Sequence, residues 1–516
     1  MENSESKPEI KKEETSEKTK DTIYKKIDKY LDDKRNLVLI GLLVFAFFIR
    51  LYYFFLTKNQ PLWWDEAEYL LEARHLAIGT PNTGWGMVRP ILFTWIATLF
   101  FKVGLGEISL RVLMLVISFF GVFLVYLVGK EIYDKNVGLI AAFIISVFYM
   151  SLFYSARMLV EVPSLTAGLL LVYVFYKGYV KNKNKHLIWF LGPISAICFM
   201  LKYTTAIFAL IIIAYLLITE KLNFLKNRNL WIAVVLGFIT LLPYLIWNWV
   251  VYGGPLTSLN AALFGISPAD RNQELSQVVL THIKSIPNYL HSIFLIMFII
   301  GLSTLYKLTI GFDLINKKEH QNLRSDLFIF IWVIFTFITA AVIIDIYEDR
   351  YIMGIFPAMF FITAKGILLI YEKIKKNSKI IAISIILIIM AIGGYQLLNH
   401  SDDIIKIKLY SYIDFKLAGT WIKENSKPDD IIVGSGVPQL TYYTERAVYG
   451  MVSKEEDFEE SWINEKKPKY FILSVLELSA DWAYSYPERN KDRLIPVKVY
   501  SANNKDPTTV VYEIKY

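Results

Sequence analysis

The chain has 516 residues, of which 55% are hydrophobic, and its mean hydropathy is +0.40. Its apolar runs repeatedly reach the roughly 20 residues that a helix needs to cross a bilayer, so the composition predicts a polytopic membrane protein and excludes a soluble class. The formal net charge is +8, but the basic residues cluster in short loops between apolar runs. That pattern indicates membrane topology instead of nucleic-acid binding. The one cysteine, Cys198, lies inside an apolar run, so neither a disulfide framework nor a thiolate metal cluster is predicted.

The N-terminal segment, residues 1–35, carries ten basic and ten acidic side chains with few apolar residues between them. Such a segment cannot bury a core, so it is predicted to be a disordered tail. The first span follows at about 36–57 and is long enough to remain as an anchor, so no cleavable signal is predicted. Lys34 and Arg35 precede this span and only Lys58 follows it, which places the tail in the cytoplasm and the next loop outside.

The predicted membrane domain covers residues 36–400 and contains eleven spans. After the first, they lie at about 108–129, 136–155, 163–180, 187–201, 203–219, 230–251, 287–306, 327–346, 351–371 and 379–398. Lysine and arginine concentrate in the predicted inner loops, and an odd number of spans places the C-terminus outside. The run at 91–101 is too short to cross and is predicted to form an interfacial or re-entrant helix, while a break at Lys202 separates two short spans.

The first outer loop, residues 58–107, holds an unusual acidic stretch, Pro61-Leu62-Trp63-Trp64-Asp65-Glu66-Ala67-Glu68-Tyr69. If a helix begins near Asp65, then Asp65 and Glu68 share one face, and Asp65 as the N-cap stays ionised beside the positive end of the helix. An ionised aspartate near lipid is a candidate general base. The alternative is that the two tryptophans belong to an interfacial aromatic belt and that the acids are merely solvated.

Three further predicted outer turns also carry charged residues. Arg157 and Glu161 lie in the first, Lys202 lies in the second, and the third reads Tyr347-Glu348-Asp349-Arg350-Tyr351. Charges between apolar spans are unfavourable unless they are paired, hydrated or functional. Ion pairs at helix ends, Arg157 with Glu161 or Asp349 with Arg350, explain each turn singly about as well as a functional site does. The gathering of all these turns on one membrane face favours a functional site.

Acids and cations on the outer face fit the transfer of a group from a lipid-linked phosphate donor. The cations predicted to bind the donor phosphate are Arg89, Arg157, Lys202 and Arg350. A phosphate leaves as a stabilised anion, so the acceptor hydroxyl needs only a base, and Asp65 and Glu161 are candidates to divide base and positioning roles. The sequence contains no glycine-rich nucleotide loop, which favours a lipid carrier over a soluble nucleotide donor.

Six short motifs follow one another along residues 36–400. They are the Asp-Glu pair at 65–66, Arg89-Pro90, Gly106 with Arg111, Ala156-Arg157 with Glu161-Val162-Pro163, Leu201-Lys202-Tyr203, and Asp349-Arg350-Tyr351 with Phe356-Pro357. In this order they resemble the GT-C glycosyltransferases, and they are most similar to the branch of protein O-mannosyltransferases and lipid A aminoarabinose transferases. The resemblance implies a mainly α-helical GT-C fold.

The resemblance also implies roles for individual residues. The catalytic aspartate of the family falls on Asp65, with Glu66 beside it, and a second family acid falls on Glu161, where many relatives have aspartate. Arg89 and Arg350 match lipid-phosphate contacts, and Lys202 matches a basic turn. Such enzymes use polyprenyl-phosphate-linked sugars, dolichyl phosphate in archaea and eukaryotes, and invert the anomeric centre. Weaker predicted contacts of the acceptor or the sugar are Glu68, Tyr69 and Tyr347.

The predicted partners are a polyprenyl-phosphate sugar, an acceptor that is a protein, a glycan or a lipid, and the membrane lipids, without nucleic acid. A divalent cation has a variable place in the wider fold, and the sequence contains no dedicated metal site. No other cofactor is predicted.

The last part of the chain, residues 401–516, is predicted to form a small extracytoplasmic α/β domain. β-rich runs at 431–433, 470–473, 497–500 and 510–514 alternate with helix-like stretches at about 412–425, 438–444 and 455–465. Acceptor recognition, a lid over the site and a purely structural role are all open for this domain.

Two other functions fit parts of the pattern. A transporter or flippase of lipid-linked saccharides predicts ionisable residues at mid-membrane depth and two similar halves, and the sequence shows no such repeat. An oligosaccharyltransferase is suggested by Trp63-Trp64-Asp65, but those enzymes carry Trp-Trp-Asp in a C-terminal soluble domain, and residues 401–516 contain no copy. The leading hypothesis is therefore transfer of a single sugar to a hydroxyl acceptor at the outer membrane face, with the sugar and the acceptor left open.

Overall fold

The computed structural model describes residues 31–84, 86–264, 274–306, 308, 321–344, 347–501 and 506–516. The helices are α1 (Lys34–Thr57), α2 (Trp64–Ile78), α3 (Leu92–Lys102), α4 (Glu107–Ile132), α5 (Lys135–Val147), α6 (Tyr149–Phe153), α7 (Glu161–Val174), α8 (Leu191–Leu201), α9 (Ile207–Glu220), α10 (Arg228–Tyr252), α11 (Thr257–Phe264), α12 (Leu275–Leu302), α13 (Gln321–Ile338), α14 (Phe356–Lys375), α15 (Lys379–Ile407), α16 (Ile413–Asn425), α17 (Val437–Thr444), α18 (Glu455–Phe458) and α19 (Asp481–Arg489). The strands are β1 (Ile431–Gly434), β2 (Ala447–Tyr449), β3 (Tyr470–Ser474), β4 (Leu494–Tyr500) and β5 (Thr509–Ile514). The protein is thus mainly helical with a small C-terminal sheet, as predicted.

Eight helices in the described ranges are long and apolar enough to cross a membrane, or nine if α5 and Tyr149–Ala156, bent by 59°, form one broken span. The predicted spans at 163–180 and 187–201 are not among these nine. The first is interrupted because α7 ends after 14 residues and passes into a π-helical segment. The second is too short to cross, because it consists of a 3₁₀ segment, Lys185–Phe190, followed by the 11 residues of α8. The predicted count of eleven spans is therefore not confirmed.

Two predicted details of the chain path are confirmed. The short apolar run at 91–101, inside the predicted first outer loop, forms the helix α3, which has 11 residues. The chain also breaks at Lys202, where the extended backbone (φ −159°, ψ 120°) separates α8 from a 3₁₀ turn at Tyr203–Ala206. The predicted disordered tail lies outside the described residues as far as residue 30.

Close contacts between helices depend on glycine at several positions in the bundle. A Cβ added to Gly301 of α12 would lie 2.0 Å from the carbonyl oxygen of Ile362, and one added to Gly366 of α14 would lie 1.9 Å from that of Met297. Helices in membranes commonly pack through such small residues, which let two backbones approach closely. The α12–α14 contact is of this kind, and it fixes the start of α14 near the turn that carries Arg350.

The C-terminal sheet has the strand order β2-β1-β3-β5-β4. β1 pairs in parallel with β2 and β3, while β5 is antiparallel to β3 and β4. One face packs against α16 and α17, and the other against α18 and α19. The predicted alternation of strands and helices is confirmed. β2 was not predicted, because its three residues, Ala447–Tyr449, form no extended β-rich run.

The C-terminal unit packs onto the loop that follows α1. The hydroxyl of Tyr443 accepts from the backbone N–H of Leu62 at 2.8 Å, and Arg74 of α2 forms an ion pair with Glu445. The predicted boundary between residues 400 and 401 falls inside α15, which continues to Ile407. The division into separate domains therefore stays a prediction, whereas the contact with the loop of the acidic stretch is a feature of the structure.

Candidate active site

The acidic stretch forms the start of α2. Trp63 is the N-cap, and the carboxylate of Glu66 accepts from the backbone N–H of Trp63 at 2.9 Å, which closes the first turn. Asp65 is therefore a first-turn residue and not the N-cap, and the prediction of an N-cap role was wrong. Asp65 and Glu68 do share one face, because both contact Arg89, at 2.8 Å and 2.5 Å respectively. In the first turn, the helix dipole still favours the ionised carboxylate.

Asp65 lies between two guanidinium groups. Its Oδ1 contacts Nη2 of Arg89, and its Oδ2 contacts Nη1 of Arg350 at 2.5 Å. Burial acts to raise the pKa of Asp65, but the charges of Arg89 and Arg350 outweigh burial and hold that pKa below its usual value. Burial is the larger effect at Glu68, whose pKa is raised although Arg89 opposes the shift. The ring of Tyr69 lies 5.7 Å from the Arg89 guanidinium and is nearly buried.

A second carboxylate joins the same cluster. Oε1 of Glu161, the first residue of α7, lies 3.2 Å from Nζ of Lys202 and 3.9 Å from Nε of Arg350. Lys202 and Arg350 also lie 4.8 Å and 5.3 Å from the ring centre of Tyr351. The four predicted outer turns thus meet at one end of the helical bundle, with Arg350 linking Asp65 to Glu161.

Arg157 lies in a separate, buried pair. Its Nη1 contacts Oε2 of Glu66 at 2.9 Å, and the two side chains are only 1% and 0% exposed. The guanidinium stacks over Trp63 at 3.9 Å, and Oε1 of Glu66 accepts from the backbone N–H of Met158. The alternative pairing of Arg157 with Glu161 is wrong. A catalytic role for Glu66 and a phosphate-binding role for Arg157 stay predictions. In the structure, the pair anchors Glu66, the neighbour of Asp65 in the chain, to the turn at Arg157 and Met158.

Asp349 does not pair with Arg350, so the second ion-pair alternative is also wrong. Its carboxylate accepts from the hydroxyls of Tyr149, Tyr289 and Tyr347 at 3.0, 2.7 and 2.7 Å. Tyr347, a predicted sugar or acceptor contact, thus contacts Asp349 and not the Asp65 cluster, and that role stays a prediction. Tyr149 and Tyr289 were missed because a tyrosine inside an apolar helix gives no sequence signal of its own.

The residues at this site do not fit a divalent cation. Hard cations need several oxygen ligands, and within the described ranges no group of three or more His, Cys, Asp or Glu side chains is placed to hold a metal ion. Both oxygens of Asp65 already contact guanidinium groups, and Oε1 of Glu161 faces Lys202. The protein's own cations hold the positions that a bound metal would need.

The chain is similar to known proteins in sequence and in overall fold. The sequence model of a family described as dolichyl-phosphate-mannose-protein mannosyltransferase matches residues 88–247. The structure of ArnT from Cupriavidus metallidurans bound to undecaprenyl phosphate superposes with a TM-score of 0.61 and 11% identity, over 92% of this chain and 97% of that chain. The chain has the GT-C fold. The predicted resemblance is thereby confirmed.

Two further proteins resemble this GT-C chain. The archaeal oligosaccharyltransferase AglB from Archaeoglobus fulgidus, in complex with an inhibitory peptide and a dolichol-phosphate, has a TM-score of 0.53 and 14% identity, over 84% of this chain and 69% of that chain. An uncharacterized protein of Aquifex aeolicus (strain VF5) is 24% identical over 343 residues. That match spans 64% of this chain and 62% of the Aquifex protein, less than two thirds of either.

Proposed function

We propose that this chain transfers a single sugar from a polyprenyl-phosphate donor, dolichyl phosphate among them, to a hydroxyl on a protein, glycan or lipid at the outer membrane face. The observation that carries the proposal is the ionised Asp65 held between Arg89 and Arg350. The GT-C fold supports it, since ArnT and AglB have been solved with undecaprenyl phosphate and a dolichol-phosphate. The charged residues of the site gather at one end of the helical bundle. This supports catalysis over transport, because a transporter would need ionisable groups along a path through the bundle.

In the proposed reaction, the acceptor oxygen forms a bond to the anomeric carbon of the sugar while the bond from that carbon to the phosphate oxygen breaks. The electron pair of the broken bond stays on the phosphate, which leaves as polyprenyl phosphate. The proton of the acceptor hydroxyl passes to Asp65, the general base. Attack opposite the leaving phosphate inverts the anomeric centre, as the family resemblance implies.

Arg89 and Arg350 have two roles in this proposal. Without donor, both guanidiniums contact Asp65 and lower its pKa, which makes the carboxylate a weak base. A donor phosphate competes for the same guanidiniums through charge-assisted hydrogen bonds. Donor binding therefore loosens the two ion pairs and raises the pKa of Asp65 toward the operating pH, where it is a better base. The donor is therefore proposed to bind before the acceptor.

The test is sugar transfer by the purified full-length protein in lipid or detergent. The donors are polyprenyl-phosphate glucose, mannose, xylose and aminoarabinose, and the acceptors are a hydroxyl-bearing peptide, a glycan and a glycolipid. Asp65→Asn keeps the size of the side chain but removes the base, so turnover is expected to fall about 10²–10⁴-fold while donor binding is retained.

Asp402→Asn is the matched control for this experiment. Asp402 pairs with Lys406 one turn away on α15 and takes no part in the Asp65 cluster, so its substitution is expected to leave transfer at the wild-type rate. Undiminished transfer by Asp65→Asn would contradict the proposal that Asp65 is the base.

A further inference from the structure

A small pocket lies beside Glu161 and Arg350 and is not used by the mechanism described above. Its volume is about 50 Å³, and its polar lining includes Glu161, Ser164, Lys202, Thr336, Thr339 and Arg350. We call it the Glu161 pocket. It lies one guanidinium away from the general base, because Arg350 contacts Asp65 at 2.5 Å and approaches Glu161 at 3.9 Å.

Two buried polar atoms of this pocket have no hydrogen-bond partner. Ser164 and Glu161 are 3% and 5% exposed, and both the Ser164 Oγ and the Glu161 Oε2 lack a partner in the structure. The two residues are three positions apart at the start of α7, so they lie on one helix face. Buried polar atoms are normally satisfied, and leaving them unpaired is unfavourable. These two atoms therefore indicate that the pocket receives a polar group.

The hydrogen-bonding character of the lining defines what that group is. The hydroxyls of Thr336 and Thr339 donate to the carbonyls of Trp332 and Phe335, at 2.7 and 2.8 Å, so their oxygens remain available only as acceptors. An ionised carboxylate such as that of Glu161 also only accepts. The two cations of the lining, Lys202 and Arg350, face Oε1 of Glu161 and leave its Oε2 without a partner. A ligand that satisfies Oε2 must donate a hydrogen bond. A volume of about 50 Å³ admits one hydroxyl or amino group but not a sugar ring.

We propose that the Glu161 pocket binds one hydroxyl or amino group of the donor sugar and thereby selects which sugar is transferred. The inference rests on the proposed function, because it places the sugar of the polyprenyl-phosphate donor between Asp65 and Glu161. The sugar group donates to Oε2 of Glu161, and the Ser164 hydroxyl makes a second hydrogen bond with it. Sugars that lack the group leave both buried atoms unpaired and bind less tightly, as at sites built to hydrogen-bond a substrate hydroxyl.

The experiment measures donor binding rather than transfer. Dissociation constants are determined by titration calorimetry in detergent for bare polyprenyl phosphate and for its glucose, mannose, xylose and aminoarabinose forms. Wild-type protein is expected to bind at least one glycosylated form more tightly than the bare lipid. Ser164→Ala is expected to weaken binding of that form about tenfold and to leave the bare lipid unchanged.

A second variant and a matched control complete the test. Ser164→Val fills the pocket with a methyl group and is expected to weaken the same glycosylated form at least as much. Ser195→Ala removes a hydroxyl that donates to the Leu191 carbonyl at 2.7 Å in α8, and it is expected to leave every affinity unchanged. Monodeoxy forms of the preferred sugar then identify the group, since the form that lacks it no longer distinguishes wild type from Ser164→Ala.

Three results would overturn the inference. Equal weakening of bare and glycosylated lipid by Ser164→Ala would mean that the pocket serves the phosphate or the lipid chain. Unchanged affinities in both Ser164 variants would mean that it holds only water. Equal affinity of the wild type for bare and glycosylated lipid would mean that no sugar group is recognised. Failure of the proposed function would give a different result: the protein would bind the glycosylated lipid through Ser164 but would transfer no sugar.

Discussion

Asp65 is the residue at which the charges of the candidate site meet. It is held by Arg89 and Arg350, while Glu68 shares Arg89 and Glu161 approaches Arg350. Every carboxylate in this set contacts a cation, so no charge is left uncompensated before the donor arrives. In the proposed reaction, the donor phosphate competes with these carboxylates for the guanidinium groups of Arg89 and Arg350.

The pH dependence of the proposed reaction follows from these contacts. Arg89 lowers the pKa of Asp65, so replacing it by a neutral residue raises that pKa. The acid limb of kcat/KM reports the base in the free enzyme, and Arg89→Gln is expected to move it to higher pH. The pH profile of kcat/KM for the donor, measured at a fixed acceptor concentration below saturation, checks this. Arg489→Gln, which disrupts a surface pair with Glu455, is the control, and an unmoved limb in Arg89→Gln would refute the assignment.

The sequence predicted which residues lie at the site better than it predicted which side chains they contact. Asp65, Arg89 and Arg350 were predicted because charged residues between apolar runs are conspicuous. Their contacts depend on tertiary structure, which local spacing does not contain: Arg157 stands four residues from Glu161 but pairs with Glu66, 91 positions away. Ser164 was missed altogether, since a serine in an apolar run carries no signal until its burial is known.

At the scale of single elements, the turn before α14 is anchored on both sides. Arg350 points to Asp65, and the neighbouring Asp349 accepts from Tyr149 of α6, Tyr289 of α12 and Tyr347. We call the three hydroxyls around Asp349 the tyrosine clamp. Hydrogen bonds to a charged acceptor are among the stronger ones in proteins. The clamp therefore fixes the position from which Arg350 reaches Asp65.

The clamp predicts a loss of activity that acts through Arg350. Tyr289→Phe removes one hydroxyl, and kcat/KM is expected to fall about tenfold because the half-buried, charged acceptor Asp349 loses a partner. In an Arg350→Gln background the same change is expected to cause no further loss, since coupled residues are not additive. Kinetics of the two single variants and the double variant measure this coupling.

Tyr53→Phe is the matched control for the clamp, because Tyr53 also donates to an aspartate, Asp402, but outside the site. Its activity is expected to equal that of the wild type. If the loss of kcat/KM in the Tyr289→Phe/Arg350→Gln double variant equals the product of the two single losses, Tyr289 has a structural role unrelated to Arg350.

Element prediction failed where helices are interrupted. Hydropathy located the long helices well, such as α4 and α15, because a continuous apolar run and a continuous helix coincide there. The apolar run at 163–180 is equally continuous, but its backbone changes to π-helical geometry at Phe175. Hydropathy counts apolar residues and is insensitive to backbone geometry, so the number of uninterrupted spans could not be predicted.

At the scale of the whole molecule, the C-terminal unit holds the segment that leads to Asp65, the proposed general base. Tyr443 accepts from the Leu62 N–H, Glu445 pairs with both Arg74 and Lys423, and the amide of Gln60 donates to a backbone carbonyl at 2.7 Å. Two of these contacts reach the loop before α2, at Gln60 and Leu62, and one reaches Arg74 within the helix. The C-terminal unit thus positions Asp65 indirectly.

Tyr443→Phe tests this link between the two parts. The Leu62 residue is fully buried, so its N–H loses its partner without gaining water, at a cost of about 1–3 kcal/mol. Faster amide hydrogen exchange at Leu62 is the expected result. Tyr500→Phe, which removes an exposed hydroxyl bonded to the Leu417 carbonyl, is expected to leave that amide protected. Unchanged exchange at Leu62 in Tyr443→Phe would show that the contact contributes nothing to holding the segment.

The ion pair of Glu66 and Arg157 limits how this chain can evolve. Both side chains are sealed from water, so a substitution at either position strands a charge in the interior, a loss of about 3–5 kcal/mol, whereas exchanging both for well-packed apolar residues can be neutral. Homologous chains are therefore expected either to keep both residues or to replace both together. An alignment of close relatives is expected to show the two positions covarying although they lie 91 positions apart.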